Sequence, residues 1–180
     1  MTDSPSEKRL PVQSPEFWRD RLFDVVSRGD DLHKAVYNVD YSAWSSINEQ
    51  CRTIIGNLAR PGQIVLDAGC GYGSLAPFVP DGVFYVGVDI SPDLIELANR
   101  RHGSKAVNPR PNTRFIVGTL LALPFRDREF DLVVVRSIRK MVIRNQGEAA
   151  WLPLDREVRR VGQRVLWMEY EEGLVWEVTY

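Results

Sequence analysis

The sequence predicts an α/β protein with a Rossmann-like, doubly wound and mostly parallel sheet, helices on both faces and a helical N-terminal cap. Three observations lead to this prediction. Short apolar runs typical of buried parallel strands recur from residue 64 onward. Segments with helical spacing separate the first of these runs, and such alternation implies right-handed crossovers between parallel strands. The chain has 180 residues, enough to bury the core of one such domain.

The N-terminal third of the chain is predicted to lie outside the sheet. Residues 1–13 mix proline, serine and charge, and we expect a disordered tail there. Residues 14–60 are predicted to form a helical cap or lid that makes one compact unit with the rest. Its first helix is capped by Ser14 and stops at Gly29, a short second helix follows, and the third spans residues 42–59.

Residues 61–180 carry the predicted sheet. Four parallel strands are expected in the runs IVLD, FYVGVD, TRFIVG and FDLVVVRS, and two more strands in QRVLWMEY and LVWEVTY, joined by a turn at EEG. The helix after the second strand begins with Ser91 as its N-cap and Pro92 in its first turn. A later helix over residues 151–161 has an apolar stripe formed by Trp151, Leu154, Val158 and Val161.

Composition and charge disfavour several classes of function. Lys and Arg number 23 and Asp and Glu 24, so the net charge of −1 disfavours a nucleic-acid or anionic membrane partner. Two cysteines and two histidines offer no cluster of metal ligands, so no metal site is expected. With no secretory signal and no apolar stretch of about 20 residues, we expect a cytoplasmic protein that does not insert into membranes.

Three glycines, Gly69, Gly71 and Gly73, follow the first strand at alternate positions. Ligands of parallel sheets bind at the carboxyl ends of the strands, and bare glycine backbone lets a ligand come close there. A plain strand-to-helix turn would use glycines in the same way. Asp89 ends the next strand, where a carboxylate can accept hydrogen bonds from both hydroxyls of a ribose. Asp89 can also cap the following helix, and the two roles are compatible.

The acid ahead of this loop favours one class of nucleotide-like ligand over another. Dinucleotide enzymes use the spacing G-x-G-x-x-G and bind a pyrophosphate at a helix N-terminus. Here the spacing is G-x-G-x-G, and Asp67 stands beside the loop. A carboxylate disfavours a phosphate and favours a cation. S-adenosylmethionine carries an ammonium and a sulfonium and has no phosphate, so the charge favours it as the cofactor.

Four segments resemble, in order, the successive motifs of class I S-adenosylmethionine-dependent methyltransferases, especially the small-molecule and ubiquinone-biosynthesis type: VLDAGCGYGSLA, YVGVDIS, FIVGTLLALPFRDREFDLVVVRS and REVRRVGQRVLW. The resemblance covers residues 60–168. It implies that the glycine loop surrounds the methionine part of S-adenosylmethionine, that Asp89 binds the ribose, and that S-adenosylhomocysteine is the product. The cofactor-binding residues so implied are Asp67, Gly69, Gly71, Gly73, Asp89, Ile90 (against the adenine), Thr119, Leu120 and Arg136.

The chain departs from the family pattern in two places. The family usually has an acid after the glycine of its third motif, to bind the adenine amino group, and Thr119 or the backbone of Leu120 stands there instead. The loop before the fifth strand is shortened around Gly162, and little chain follows that strand. An exposed sheet edge is therefore expected, which a second copy (giving a homodimer) or the N-terminal helices could cover.

Methyl transfer from a sulfonium is an in-line displacement that mainly needs aligned reactants and exclusion of water. No catalytic motif is therefore required, and the sequence contains none. Weak candidates for catalysis are Tyr37, His33 and Arg136. The simpler interpretation of His33 is an exposed surface residue.

Two further groups of residues could contact the substrate. Arg136 and Arg139 could bind an acidic group of the substrate, although the basic run that they belong to could also be a solvated helix face. Aromatic rings ahead of the first strand could form a lid over the cofactor and the acceptor, or simply pack as helix residues. These aromatic residues are Tyr37, Tyr41 and Trp44.

The function expected from these features is methyl transfer from S-adenosylmethionine to a small-molecule acceptor. Two alternatives stay open. One is an RNA or protein methyltransferase, which the near-neutral charge disfavours. The other is a catalytically inactive module of the same fold that binds the cofactor or a protein partner. An acceptor pocket closed over by side chains would favour the inactive module, and an open pocket beside the sulfonium would favour the enzyme.

Overall fold

The computed structural model describes residues 15–16, 41–171 and 174–179. The predicted tail and most of the predicted cap lie outside the described residues, and so do His33 and Tyr37. The described elements in chain order are α1 (Tyr41–Leu58), β1 (Ile64–Ala68), a short 3₁₀ helix (Ala76–Phe78), β2 (Phe84–Asp89), α2 (Pro92–Arg101), β3 (Thr113–Val117), β4 (Leu132–Arg136), α3 (Arg139–Gln146), α4 (Glu148–Val161), β5 (Val165–Glu171) and β6 (Leu174–Thr179).

The six strands form one sheet in the order β3-β2-β1-β4-β5-β6. The first five strands are parallel, and β6 pairs with β5 antiparallel, as a hairpin. The strand order reverses between β1 and β4, where ligands of such sheets bind. At the opposite end of this pair, the Ile64 amide donates to Asp131 Oδ2 at 2.8 Å, across 67 residues of sequence. The predicted doubly wound fold is confirmed.

Two apolar clusters pack on the two faces of the sheet. One face is covered by α1, the 3₁₀ helix and α2, and its centre includes Ile55, Val65, Tyr85 and Phe115. The other face is covered mainly by α4, whose Trp151, Leu154, Val158 and Val161 are all buried, which confirms the predicted stripe. Because both faces of the strands are covered, the runs are apolar throughout rather than alternating.

The start of α2 follows the sequence signals closely. Ser91 Oγ accepts a hydrogen bond from the Leu94 amide at 3.3 Å, and Pro92 occupies the first turn. The helix ends at Arg101, and the Gly103 amide donates to the carbonyl of Ala98 at 3.3 Å. Both ends of the helix are therefore fixed by local chemistry, which places its N-terminus beside the end of β2.

The segment between β4 and α4 forms a helix of its own on which Arg139, Lys140 and Arg144 are exposed, so the basic run past β4 is a solvated helix face, one of the two alternatives that the sequence left open. In α3 only Val142 is buried, so the segment lacks the stripe by which a packed helix is recognised. Gly147, with φ of 85°, ends α3 and precedes α4. Its positive φ lets the chain change direction between the two helices.

The connection between β3 and β4 is tied to α4 by polar contacts. Glu157 Oε1 accepts from the Leu123 amide at 2.8 Å. Arg160 donates to the carbonyl oxygen of Phe125 at 2.9 Å and to Asp127 Oδ1 at 2.8 Å. These contacts hold the second half of the connection, from Leu123 to Asp127, against α4.

In the helices that the structure describes, no stretch is both long and apolar enough to cross a membrane.

Replacing Leu154 by Ala tests the packing of α4. Leu154 is 2% exposed, so the substitution is expected to lower the free energy of unfolding by about 2–5 kcal/mol, through lost burial and a residual cavity. The matched control is Leu152→Ala on the same helix, where the side chain is 58% exposed and a change within about 0.5 kcal/mol is expected. Urea unfolding measures both. Equal effects of the two substitutions would contradict the assigned orientation of α4.

Candidate active site

The described members of the predicted cofactor site come together at the carboxyl edge of the sheet. They lie at or just after the ends of β1, β2, β3 and β4, which are neighbours in the sheet. Backbone hydrogen bonds join these ends: the Gly69 amide donates to the Val88 carbonyl at 2.8 Å, and the Gly118 amide donates to the Asp89 carbonyl at 2.9 Å. The ends of β1, β2 and β3 are therefore bonded to one another, and β1 pairs with β4 up to Ala68 and Val135 at the topological switch point.

The glycine loop takes a backbone path that other residues would resist. Gly69, Gly71 and Gly73 have φ of 79°, 54° and 77°, all in the left-handed region. The space is restricted too, because a Cβ at Gly73 would lie 2.8 Å from the ring of Phe115. Conformation and close packing thus both demand glycine, so the plain strand-to-helix turn accounts for part of the pattern. The same geometry leaves backbone uncovered by side chains of its own.

Asp89 is held in place by backbone amides. Its Oδ2 accepts from the Gly71 amide and its Oδ1 from the Ser91 amide, both at 2.9 Å. Burial raises the pKa of Asp89 to about 6, against the lowering effect of these two amides. One carboxylate thus links the glycine loop to the start of α2 and keeps lone pairs for a further donor. Both roles predicted for Asp89, a cap and a ligand for hydroxyls, are compatible with this geometry.

Asp67 lies deeper, at the centre of a buried polar group. Its side chain is fully buried, and its Oδ2 accepts from the Tyr85 hydroxyl at 2.6 Å. Burial raises the pKa of Asp67, while the Arg136 guanidinium and the Tyr85 hydroxyl lower it. Among the described residues, no donor reaches Asp67 Oδ1, which is buried as well. A buried carboxylate oxygen of this kind calls for a donor or a cation.

Arg136 is turned inward and does not join the exposed basic run. Its Nη2 donates to Ser74 Oγ at 2.7 Å, and its Nη1 lies 4.0 Å from Cys51 Sγ on α1. Arg136 is only 8% exposed, whereas Arg139, three residues on, is exposed at the start of α3. Arg136 therefore points into the interior, where its charge lowers the pKa of Asp67, while Arg139 faces solvent.

Ile138 occupies the position directly over the glycine loop. A Cβ built on Gly69 would collide with Ile138 Cδ1 and would lie 3.9 Å from Leu120 Cδ1. The residue before it, Ser137, has φ of 55°, which is unusual for a residue with a side chain. The side chains that a Cβ on Gly69 would meet are therefore two apolar ones, from the segments that follow β4 and β3.

The remaining predicted residues are placed as follows. Ile90 and Thr119 are half-buried beyond the ends of β2 and β3, and Thr119 Oγ1 accepts from the Leu121 amide at 3.2 Å. Tyr41 and Trp44 lie in the first turn of α1, and their side chains are outside what the structure describes. The roles of the lid and of His33 and Tyr37 stay predictions.

Sequence reasoning missed three residues of the buried polar group: Tyr85, Ser74 and Cys51. Tyr85 lies on the same sheet face as Asp67 because Val65 and Asp67 of β1 pair in register with Tyr85 and Gly87 of β2. The signal was a single hydroxyl within an otherwise apolar run, two residues before a glycine. Only the register between strands converts that signal into a contact.

Among the described residues, no group of three or more His, Cys, Asp and Glu side chains could hold a metal ion.

Comparison with known proteins identifies a family to which most of the described sheet belongs. The family described as "Methyltransferase domain" matches residues 65–161. The demethylmenaquinone methyltransferase of Beutenbergia cavernae is 34% identical over 116 residues, which cover 63% of this chain and 43% of that protein. The chain thus spans about half the length of the curated relatives that it matches, or less.

Solved structures agree with the family match. A S-adenosylmethionine-dependent methyltransferase of Methanosarcina mazei has a TM-score of 0.55 and 25% identity, with 66% of this chain and 57% of that chain covered. The magnesium protoporphyrin IX methyltransferase of Synechocystis, which was solved with bound S-adenosylhomocysteine, has a TM-score of 0.62 over 86% of this chain and 69% of its own. At 22% identity the second likeness concerns the fold.

A double-mutant cycle tests the buried contact between Tyr85 and Asp67. Tyr85→Phe removes the donor to a buried carboxylate, and we expect it to lower the free energy of unfolding by about 1–3 kcal/mol. The same substitution is expected to have a smaller effect in an Asp67→Asn background, with a coupling energy of at least about 0.5 kcal/mol. Thermal or urea unfolding of the four proteins gives this value. Strict additivity would show that the two side chains do not depend on each other.

Proposed function

Because the chain belongs to the methyltransferase domain family, we propose that it uses S-adenosylmethionine to methylate a small-molecule acceptor of the quinone class. The observation that carries the proposal is the pair of carboxylates that flanks a left-handed glycine loop, with Asp67 at the end of β1 and Asp89 at the end of β2. The loop offers bare backbone, and the two acids favour a cationic ligand with hydroxyls over a phosphate.

The residues of the edge fit this cofactor chemically. The buried Asp67 Oδ1 lacks a donor among the described residues, so the carboxyl group of Asp67 would favour the positively charged ammonium of the cofactor nearby. Asp89 accepts one amide on each oxygen and could accept ribose hydroxyls with its remaining lone pairs. Ile90, beside Asp89, would pack against the adenine. Thr119 offers a hydroxyl and the backbone in place of the acid that the family resemblance implies, so contact with the adenine would be weaker.

The chemistry that the cofactor supplies is an activated methyl group on a sulfonium, which is a good leaving group. The chain itself would bind and orient. The glycine loop would hold the methionine part, Asp89 would fix the ribose, and apolar side chains such as Leu120 and Ile138 would exclude water from the transfer. Positioning of this kind accounts for much of the rate of a displacement, without a catalytic base.

The acceptor class rests on similarity and on the apolar character of the edge. The Beutenbergia relative is a demethylmenaquinone methyltransferase by name, and other curated relatives share that name. Ile138 and Leu120, the side chains nearest Gly69, are apolar and would suit a flat, uncharged ring. The inward burial of Arg136 against Ser74 argues against a strongly anionic acceptor at this position. These observations together favour a quinone ring over an acidic small molecule.

One observation favours a second function, an inactive module that binds a partner or the cofactor without turnover. Ile138 covers Gly69, and side chains that close the cleft are what such a module would show. Cofactor binding tests whether the cleft opens, because a closed cleft that never opens binds no cofactor. A module that binds the cofactor without turnover is distinguished by the absence of methyl transfer to a quinone acceptor.

Cofactor binding tests the site directly. We expect S-adenosylmethionine and S-adenosylhomocysteine to bind with micromolar affinity, about −8 kcal/mol, in isothermal titration calorimetry. Asp89→Asn should weaken binding by at least about tenfold, because an amide replaces a charge-assisted acceptor. The control is Asp81→Asn, an exposed aspartate in the turn before β2. Equal effects of the two substitutions would reject the proposed site.

The affinity should also depend on pH. Burial raises the pKa of Asp89 to about 6, so the carboxylate is ionised above pH 6 and protonated below it. Hydroxyl donors favour the ionised form, and we therefore expect the affinity for S-adenosylhomocysteine to fall as the pH drops through 6, by up to about tenfold per pH unit. Titrations between pH 5 and pH 8 measure this dependence. The Asp89→Asn variant should lack it, and an identical pH profile in that variant would exclude Asp89 as the cause.

A further inference from the structure

The contact between Ile138 and Gly69 has a consequence that depends on the proposed function. Gly69 is the first glycine of the loop that would receive the methionine part of the cofactor. Ile138 Cδ1 lies so close to its Cα that a Cβ could not be added there. Two groups cannot occupy one space, so the cofactor and this rotamer of Ile138 would exclude each other at the bare backbone of Gly69.

The residue that carries Ile138 into this position is strained. Ser137 has φ of 55°, a left-handed conformation that is uncommon for a residue with a Cβ. Its Oγ is buried and finds no hydrogen-bond partner within the part of the chain that the structure describes. One backbone contact, from the Ser137 amide to the Met168 carbonyl at 2.9 Å, ties the residue to β5. Strain and an unpaired hydroxyl both raise the free energy of this arrangement relative to one in which Ile138 has moved away.

We propose that Ile138 gates the cofactor site: it rests on Gly69 in a closed arrangement and swings off when Ser137 leaves the left-handed region, which admits the methionine part of S-adenosylmethionine. The rotation is local, because α3 begins at Arg139, the next residue, and β4 ends at Arg136, just before Ser137. A short link between two regular elements is where a hinge is expected.

A gate of this kind lowers the apparent affinity by the fraction of molecules that are open. If about one molecule in ten is open, removal of the gate strengthens binding by up to about tenfold. Association is expected to become faster, since fewer encounters meet a closed cleft. A side chain that merely contributes packing would show the opposite result, a less stable protein that binds no better.

The first test is Ile138→Ala, with S-adenosylhomocysteine as the probe and the full chain as the protein. Calorimetry and stopped-flow binding are expected to give a several-fold tighter dissociation constant and a faster association rate than the wild type. The matched control is Ile143→Ala on α3, which removes the same atoms from another half-buried isoleucine. This control should leave both quantities at the wild-type values. Thermal unfolding of each variant shows whether it is folded.

The second test addresses the hinge. Ser137→Gly removes the penalty of the left-handed conformation and the unpaired hydroxyl, so it favours the closed arrangement and is expected to weaken binding by about threefold to tenfold. Arg128→Gly is the control, because Arg128 has φ of 56° in an exposed turn away from the edge. It should relieve similar strain without a change in affinity. Unchanged binding by Ser137→Gly would remove Ser137 from the mechanism.

The outcomes separate the gate from the proposed function. If the wild type binds S-adenosylhomocysteine as tightly as Ile138→Ala does, or more tightly, the gate is overturned and the cofactor site stays intact. Binding by Ile138→Ala alone would support the gate in its strongest form, as a wild-type cleft held shut. Binding by neither folded protein would overturn both the gate and the proposed use of S-adenosylmethionine.

Discussion

The burial of the Asp67 carboxylate is the constraint around which the rest of the structure is arranged. An ionised group at the centre of a parallel sheet is costly unless donors and an opposite charge surround it. Tyr85 from β2 supplies a hydroxyl, and Arg136 from β4 supplies the charge. Arg136 is in turn bound by Ser74, which follows the glycine loop, and lies near Cys51 of α1. One carboxylate therefore orders three strands, the loop and a helix against each other.

The same packing makes the glycine loop a rigid part of the core. A Cβ on Gly73 would collide with the Phe115 ring. A Cβ on Gly87 would collide with the same ring and with Cys70 Sγ. Asp89 then fastens the middle of the loop through the Gly71 amide. The glycine loop is therefore ordered before any ligand binds. Binding does not carry the conformational entropy cost of ordering this loop, which favours affinity. Conformational change on binding is then confined to side chains that lie over the loop, such as Ile138.

Much of the fold could be predicted from the sequence, because each element carries its own local signal. The sequence predicts the runs for β1 to β6, the Ser91 cap and the stripe that includes Leu154, and it also predicts that the glycines and Asp89 lie together at the carboxyl edge of the sheet, as they do. The buried partners of Asp67 could not be identified, since Tyr85 meets it only through strand register, and Arg136 was assigned to the cofactor or the substrate as part of a basic run. For α3 the reason is different: a helix with one buried residue leaves almost no apolar pattern.

The pairing of β1 with β4 also bears on how the protein folds. The strands β1, β2 and β3 follow one another closely in the chain, so they can assemble through short crossovers soon after synthesis. The hydrogen bond between the Ile64 amide and Asp131 spans 67 residues, and closing so long a loop carries an entropic cost before any contact repays it. Until β4 docks, one side of β1 is an open edge in the middle of the future sheet. The seam between β1 and β4 meets the ligand edge at the carboxyl end of β1, and this unpaired side of β1 is where nascent or destabilised chains are exposed to mispairing.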